Sequence, residues 1–131
     1  MILVDHEGNL VVPQSATDSI LPYITRRSLV ELAKRLGMNV IERPVKFQEL
    51  LDGAFVECGL CGTAAVISPF ARIEKGEDIN IKFEGSYYGC GPVLKKLRET
   101  LTGIQSGDIE APEGWISYVD VDQPYVCPKI D

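Results

Sequence analysis

Only two stretches of this chain carry a convincing helical period, and that limits what it can fold into. In the first, Leu29, Leu32, Ala33 and Leu36 recur at the i, i+3, i+4, i+7 spacing of one helix face. Gly37 closes that stretch, and Lys34 and Arg35 suit the negative end of its dipole. In the second, Pro92 stands at a favourable first helical position. Leu94, Leu97, Leu101 and Ile104 form its apolar stripe, and Gly107 ends it. The pattern predicts helices over about residues 26 to 36 and 92 to 105. A shorter helix is expected at Phe47 to Leu51, stopped by Gly53.

Short apolar runs bounded by glycine or proline fill most of the remainder, and these read as strands. Ile2-Leu3-Val4 and Leu10-Val11-Val12 flank a polar turn and predict a β-hairpin. Further strands are expected at Asn39 to Glu42, Phe55 to Cys58, Ala64 to Ser68 and Ile79 to Phe83. Gly59 to Thr63 and Glu74 to Asp78 are expected as turns between them. Strands and helices do not alternate throughout, so a mixed sheet is expected rather than a doubly wound parallel one. The chain has 131 residues, one domain's worth. The tail from Ala111 to Asp131 shows no periodicity.

Composition excludes several classes of function. Hydrophobic residues make up 45% and charged residues 24%, as in ordinary globular proteins. No apolar run approaches the length of a membrane span. The net charge of -6 and the scattered basic residues argue against a nucleic-acid surface. With no secretory pattern at the N-terminus, the cytoplasm is the expected location. Cys58, Cys61, Cys90 and Cys127 are expected as free thiols. Cys58-Gly59-Leu60-Cys61 is a lone C-x-x-C without the second ligand pair of a zinc site, so no metal is expected. His6, the one histidine, reads as a solvated turn residue.

Two places could bind an anion. Ile24-Thr25 stands at the start of the first long helix, where unpaired N–H groups and the positive dipole end form a phosphate cradle. A threonine here is commonly just the N-cap. Gly62-Thr63-Ala64-Ala65 combines a glycine that permits close backbone approach with a hydroxyl and small neighbours. Its commoner role would be a strand start after a turn.

The order of these signals is more specific than any one of them. Ile20-Leu21-Pro22-Tyr23-Ile24-Thr25-Arg26-Arg27-Ser28 resembles a segment of branched-chain amino acid aminotransferases. Cys61-Gly62-Thr63-Ala64-Ala65-Val66-Ile67-Ser68-Pro69 is similar to a second segment. The stretch from Gly91-Pro92 through Leu101 to Asp108, then Ala111-Pro112-Glu113-Gly114-Trp115, looks like a third. The resemblance covers residues 1 to about 120.

That family is the fold-type IV group of pyridoxal 5'-phosphate (PLP) enzymes, and the chain resembles its C-terminal, cofactor-binding domain. The resemblance implies an α/β fold with a mixed, partly barrel-like sheet. It implies that Leu21 packs on the pyridine ring, and that Ile24 and Thr25 hold the phosphate with Thr63 adding a contact. It implies that Thr63 and Ala64 offer N–H groups to a substrate carboxylate. The parent activity is amino transfer from leucine, isoleucine or valine to 2-oxoglutarate. In the family, the lysine that holds the cofactor covalently and the glutamate that pairs with the pyridine nitrogen lie upstream of the first hairpin. The N-terminal domain also supplies a phosphate-binding arginine and a substrate-binding tyrosine. None of the seven lysines here stands in the matching context. The expectation is a truncated or split enzyme with no catalytic residue of its own, weak or absent PLP binding, and inactivity alone. The alternatives are an anion-binding module, or one half of a two-chain enzyme whose other half is separately encoded; full-length members are homodimers. Tyr23 stands where the family has a small residue. Ala65 and Ser68 stand where some members have a C-x-x-C.

Overall fold

The computed structural model describes residues 1–15, 17, 19–86 and 89–122. Strands β1 (Ile2–Asp5) and β2 (Leu10–Pro13) form the expected antiparallel hairpin, with Leu3 opposite Val11 and Val4 opposite Leu10. Asp5 shapes its turn, its carboxylate accepting the backbone N–H groups of Glu7 at 3.0 Å and Asn9 at 2.9 Å. Helix α1 (Ile24–Arg35) then crosses over, and β3 (Val40–Arg43) returns parallel to β2. Helix α2 (Phe47–Leu51) leads into the long strand β4 (Phe55–Gly62), antiparallel to β1. Strand β5 (Val66–Pro69) pairs back on β4.

The sheet order is β3-β2-β1-β4-β5. It is mixed, as expected, but open, so the barrel-like closure is not present. Its two end strands are only four residues long each. Strands β6 (Arg72–Lys75) and β7 (Ile79–Lys82) form a separate two-stranded hairpin. A 3-10 turn, Glu84–Ser86, precedes the last helix, α3 (Pro92–Ser106).

The two-residue period of β1 and β2 builds two cores. Ile2, Val4, Leu10 and Val12 face one way and pack with Leu29, Leu32 and Ala33 of α1 and Leu94, Leu97, Leu101 and Ile104 of α3. Leu3 and Val11 face the other way, with Leu50, Phe55, Cys58, Ile81 and Phe83. Both faces of the central strands are therefore covered, which is why these runs are continuously apolar rather than alternating.

Three expectations need correction. The Gly59-to-Thr63 turn lies inside β4 as far as Gly62, and the turn is Thr63 to Ala65. Gly59 is there because the space above it is taken. A Cβ would stand 3.0 Å from Ile67 and 3.2 Å from Leu94 of α3, so the glycine marks close helix–strand approach rather than a turn. Glu74 and Lys75 belong to β6, leaving a tighter turn. Thr25 is not the N-cap of α1. The helix starts two residues earlier than a Thr25 cap would allow, at Ile24, with Tyr23 at the cap in an extended conformation. Helix α3 behaves as expected, with Pro92 in its first turn and Gly107 left-handed at φ +85°.

Among the described residues no helix is long and apolar enough to cross a membrane. Cys58, Cys61 and Cys90 are free thiols, and Pro124, Cys127 and Lys129 lie outside the described residues.

Candidate functional site

Neither long helix is capped by the side chain of its own N-cap residue, Tyr23 or Gly91, and neither has an acidic residue in its first turn. Each therefore leaves its first N–H groups and positive dipole end for a partner from outside the helix. The two ends differ in what meets them. At α3, the carboxylate of Glu57, reaching across from β4, accepts the N–H of Val93 at 3.2 Å and of Leu94 at 3.0 Å. Glu57 is 2% exposed. Gly91 leaves it room, since a Cβ there would overlap the glutamate's Cγ and Cδ. The signal for this cap is in the sequence: a charged residue inside the apolar run Phe55-Val56-Glu57-Cys58, and a Gly-Pro pair at a helix start. Its meaning needs the sheet, because the partners are 36 and 37 residues apart.

At α1 no carboxylate among the described residues plays that part. Thr25 is buried in the first turn, while Ile24 beside it is 70% exposed and Leu21 just before it is 74% exposed. Two exposed branched side chains thus flank the open end of the helix. Arg26 adds a cation, bonded to the Pro13 carbonyl at 3.3 Å and 3.7 Å from Glu42.

Sequence reasoning missed the residue that joins the two candidate segments. The Tyr23 hydroxyl donates to the main-chain carbonyl of Cys61 at 2.6 Å, and its oxygen lies 2.8 Å from the Cys61 thiol. Burial, then the hydrogen bond with Cys61, pushes the phenol up to about 12, so it stays a neutral donor. Cys61 is the penultimate residue of β4, and Gly62, opposite Val66, closes the β4–β5 hairpin. The start of α1 is thus fastened to the strand whose next turn is Thr63-Ala64-Ala65. All three turn residues are exposed. Val66, which follows, has φ +59°, an unusual conformation for a β-branched residue.

Of the remaining expectations, the C-x-x-C gains no metal partner. Among the described residues no group of three His, Cys, Asp or Glu could hold a metal ion. Burial pushes the Cys58 thiol up to about 12, the opposite of an activated cysteine. His6 sits with Nε2 2.7 Å from the Gly53 carbonyl. A cleft of roughly 560 Å³ lies on the outer side of the first turns of α1, between Ile24, Arg27, Glu31 and Trp115.

The structure is thus an α/β domain with an open, mixed sheet, whose first long helix has no side-chain cap among the described residues and is tied to a threonine-bearing hairpin turn. The family model for amino-transferase class IV matches residues 2–73, and the chain belongs to that family. It is 47% identical over 118 residues to a branched-chain-amino-acid aminotransferase of Haemophilus influenzae, covering 89% of this chain and 33% of that protein. A Helicobacter pylori branched-chain-amino-acid aminotransferase is 41% identical over 114 residues, covering 86% and 31%. The crystal structure of the Escherichia coli branched-chain amino acid aminotransferase superposes with a TM-score of 0.70 at 32% identity, over 93% of this chain and 37% of that one. That of Thermobaculum terrenum in its PLP form gives 0.62 at 32% identity, over 81% and 31%. The chain spans about a third of the length of these relatives.

Proposed function

We propose that these 131 residues form the part of a PLP-dependent branched-chain aminotransferase that grips the cofactor's phosphate and the substrate's carboxylate. The observation that carries this is the uncapped N-terminus of α1, fastened through Tyr23 and Cys61 to the Thr63 turn. In this reading the N–H groups of Ile24 and Thr25, the Thr25 hydroxyl and Thr63 surround one phosphate dianion. Leu21 lies against the pyridine ring. The N–H groups of Thr63 and Ala64 receive the substrate carboxylate. Bound PLP supplies the electron sink for chemistry at the amino acid's Cα. These residues contribute binding and orientation, and no proton-transfer group.

The amino transfer itself, from leucine, isoleucine or valine to 2-oxoglutarate, belongs in this reading to an assembly with the roughly two thirds of the relatives' length that this chain does not span. That region would supply the lysine, whether joined in one polypeptide or encoded separately as a partner chain, and the completed unit would assemble as a homodimer. The reaction is one of small soluble metabolites and fits the cytoplasm. The 131 residues alone are proposed to be inactive and to bind PLP weakly. A few charge-assisted hydrogen bonds of about 1.5–3 kcal/mol each must offset the loss of translational and rotational freedom on association.

The test is a calorimetric titration of the chain with PLP in the presence and absence of inorganic phosphate. Reversible binding of one PLP, displaced by phosphate, is expected. A phosphate-insensitive interaction would overturn the assignment.

A further inference from the structure

We propose that Tyr23 is a positioning residue that couples the start of α1 to the Thr63 turn, so that the two meet a phosphate as one preformed site rather than as two loose segments. This rests on the phosphate-holding role proposed above for Ile24, Thr25 and Thr63.

Three observations carry it. Strand β4 outruns β1, whose register ends at the Ile2–Gly59 pair, so Cys61 has a strand partner only in β5. The phenol, donating to the Cys61 carbonyl at 2.6 Å, ties this end of β4 to the start of α1 as well. Tyr23 is also the last residue before α1, extended at φ −97° and ψ 159°. Its main chain leads directly into the N–H groups that follow, so holding its side chain on Cys61 restrains the start of the helix. Finally, the far side of the turn is held too, because Val66 is 6% exposed in the core at φ +59°. The turn is thus pinned at both ends, by a hydrogen bond and by a buried side chain. A site ordered before its ligand arrives loses less entropy on binding. The neutral phenol keeps the link intact across the ordinary pH range.

The experiment is an NMR titration of the isotope-labelled 131-residue chain with inorganic phosphate, then PLP, then pyridoxal, which lacks the phosphate. In the wild type, the amide signals of Thr25 and Thr63 should follow one shared dissociation constant for phosphate. In Tyr23→Phe, which keeps the ring and removes only the hydroxyl, phosphate and PLP affinity should fall roughly 3- to 10-fold. The two amides should then titrate apart, while pyridoxal affinity stays unchanged. A merely structural role would lower the melting temperature and weaken all three ligands together. Tyr23→Met, also bulky and apolar, serves if the phenylalanine variant does not fold. Unchanged affinity and a still-shared constant in a folded variant would overturn the positioning role and leave the phosphate site standing. No response of Thr25 and Thr63 to phosphate in the wild type would overturn both.

Discussion

The Glu57 carboxylate accepts the N–H of Leu94 at 3.0 Å, placing a buried anion from β4 on the N-terminus of α3. The pairing offsets the cost of burying the charge and satisfies two N–H groups of the helix's first turn. It also fixes where α3 lies on the sheet. Replacing Glu57 by alanine orphans those donors and opens a cavity, and should cost about 2–4 kcal/mol. Glutamine retains one acceptor and should cost less. Urea unfolding of the three proteins gives the comparison, and equal stabilities would remove the cap from the account.

Gly91 should tolerate no side chain while Glu57 is present. A Cβ there would overlap the glutamate. Gly91→Ala is expected to destabilise the wild type by about 2 kcal/mol or more and the Glu57→Ala background by clearly less. The non-additivity of neighbours measures the overlap. Additive costs would mean that Gly91 matters for its backbone instead.

These two residues show where sequence reading stops. The helix faces, the first hairpin and the C-terminal glycine of α3 were legible because each depends on local spacing: Leu29 to Leu36, Ile2 to Val12, and Gly107. The β4 turn was misplaced because Gly59 and Gly62 carry the signature of a turn, while Gly59 is small to admit Leu94 and Ile67. Thr25 looked like a cap because threonine often is one, yet the helix begins at Ile24. The anion-binding segments stood out through family resemblance. The Tyr23–Cys61 link did not, since nothing local connects residues 38 apart.

Cys58 should resist thiol reagents at about pH 8, since burial holds its thiol well above its ordinary value, at about 12 rather than 9.0. The sign follows from linkage. A group with a raised folded pKa stabilises fully below its unfolded value and loses that contribution as pH climbs through the folded one. Stability should therefore decline between pH 9.0 and about 12. Tyr23 acts in the same direction from 10.0 to about 12. Unfolding measured across that range in wild type and Cys58→Ala should show a shallower decline in the variant. Parallel curves would contradict the assignment.

The proposed ligand roles predict a split among substitutions. Thr25→Val and Thr63→Val should each weaken PLP and inorganic phosphate by roughly 3- to 10-fold and leave pyridoxal untouched. Leu21→Ala, at a position 74% exposed and facing no core, should weaken PLP and pyridoxal alike and spare phosphate. Calorimetry with the three ligands separates the patterns. A variant that weakens all three equally has lost its fold rather than a contact.

The most direct test of the central claim is to saturate the chain with PLP, treat it with borohydride, and weigh the protein before and after dialysis. In parallel, the same chain is supplied with PLP, leucine and 2-oxoglutarate and followed for glutamate. The account predicts PLP that dialyses away, no stoichiometric covalent adduct on any of the seven lysines, and glutamate formation no faster than with free PLP. One PLP fixed to one particular lysine, together with turnover abolished by replacing it, would contradict the account.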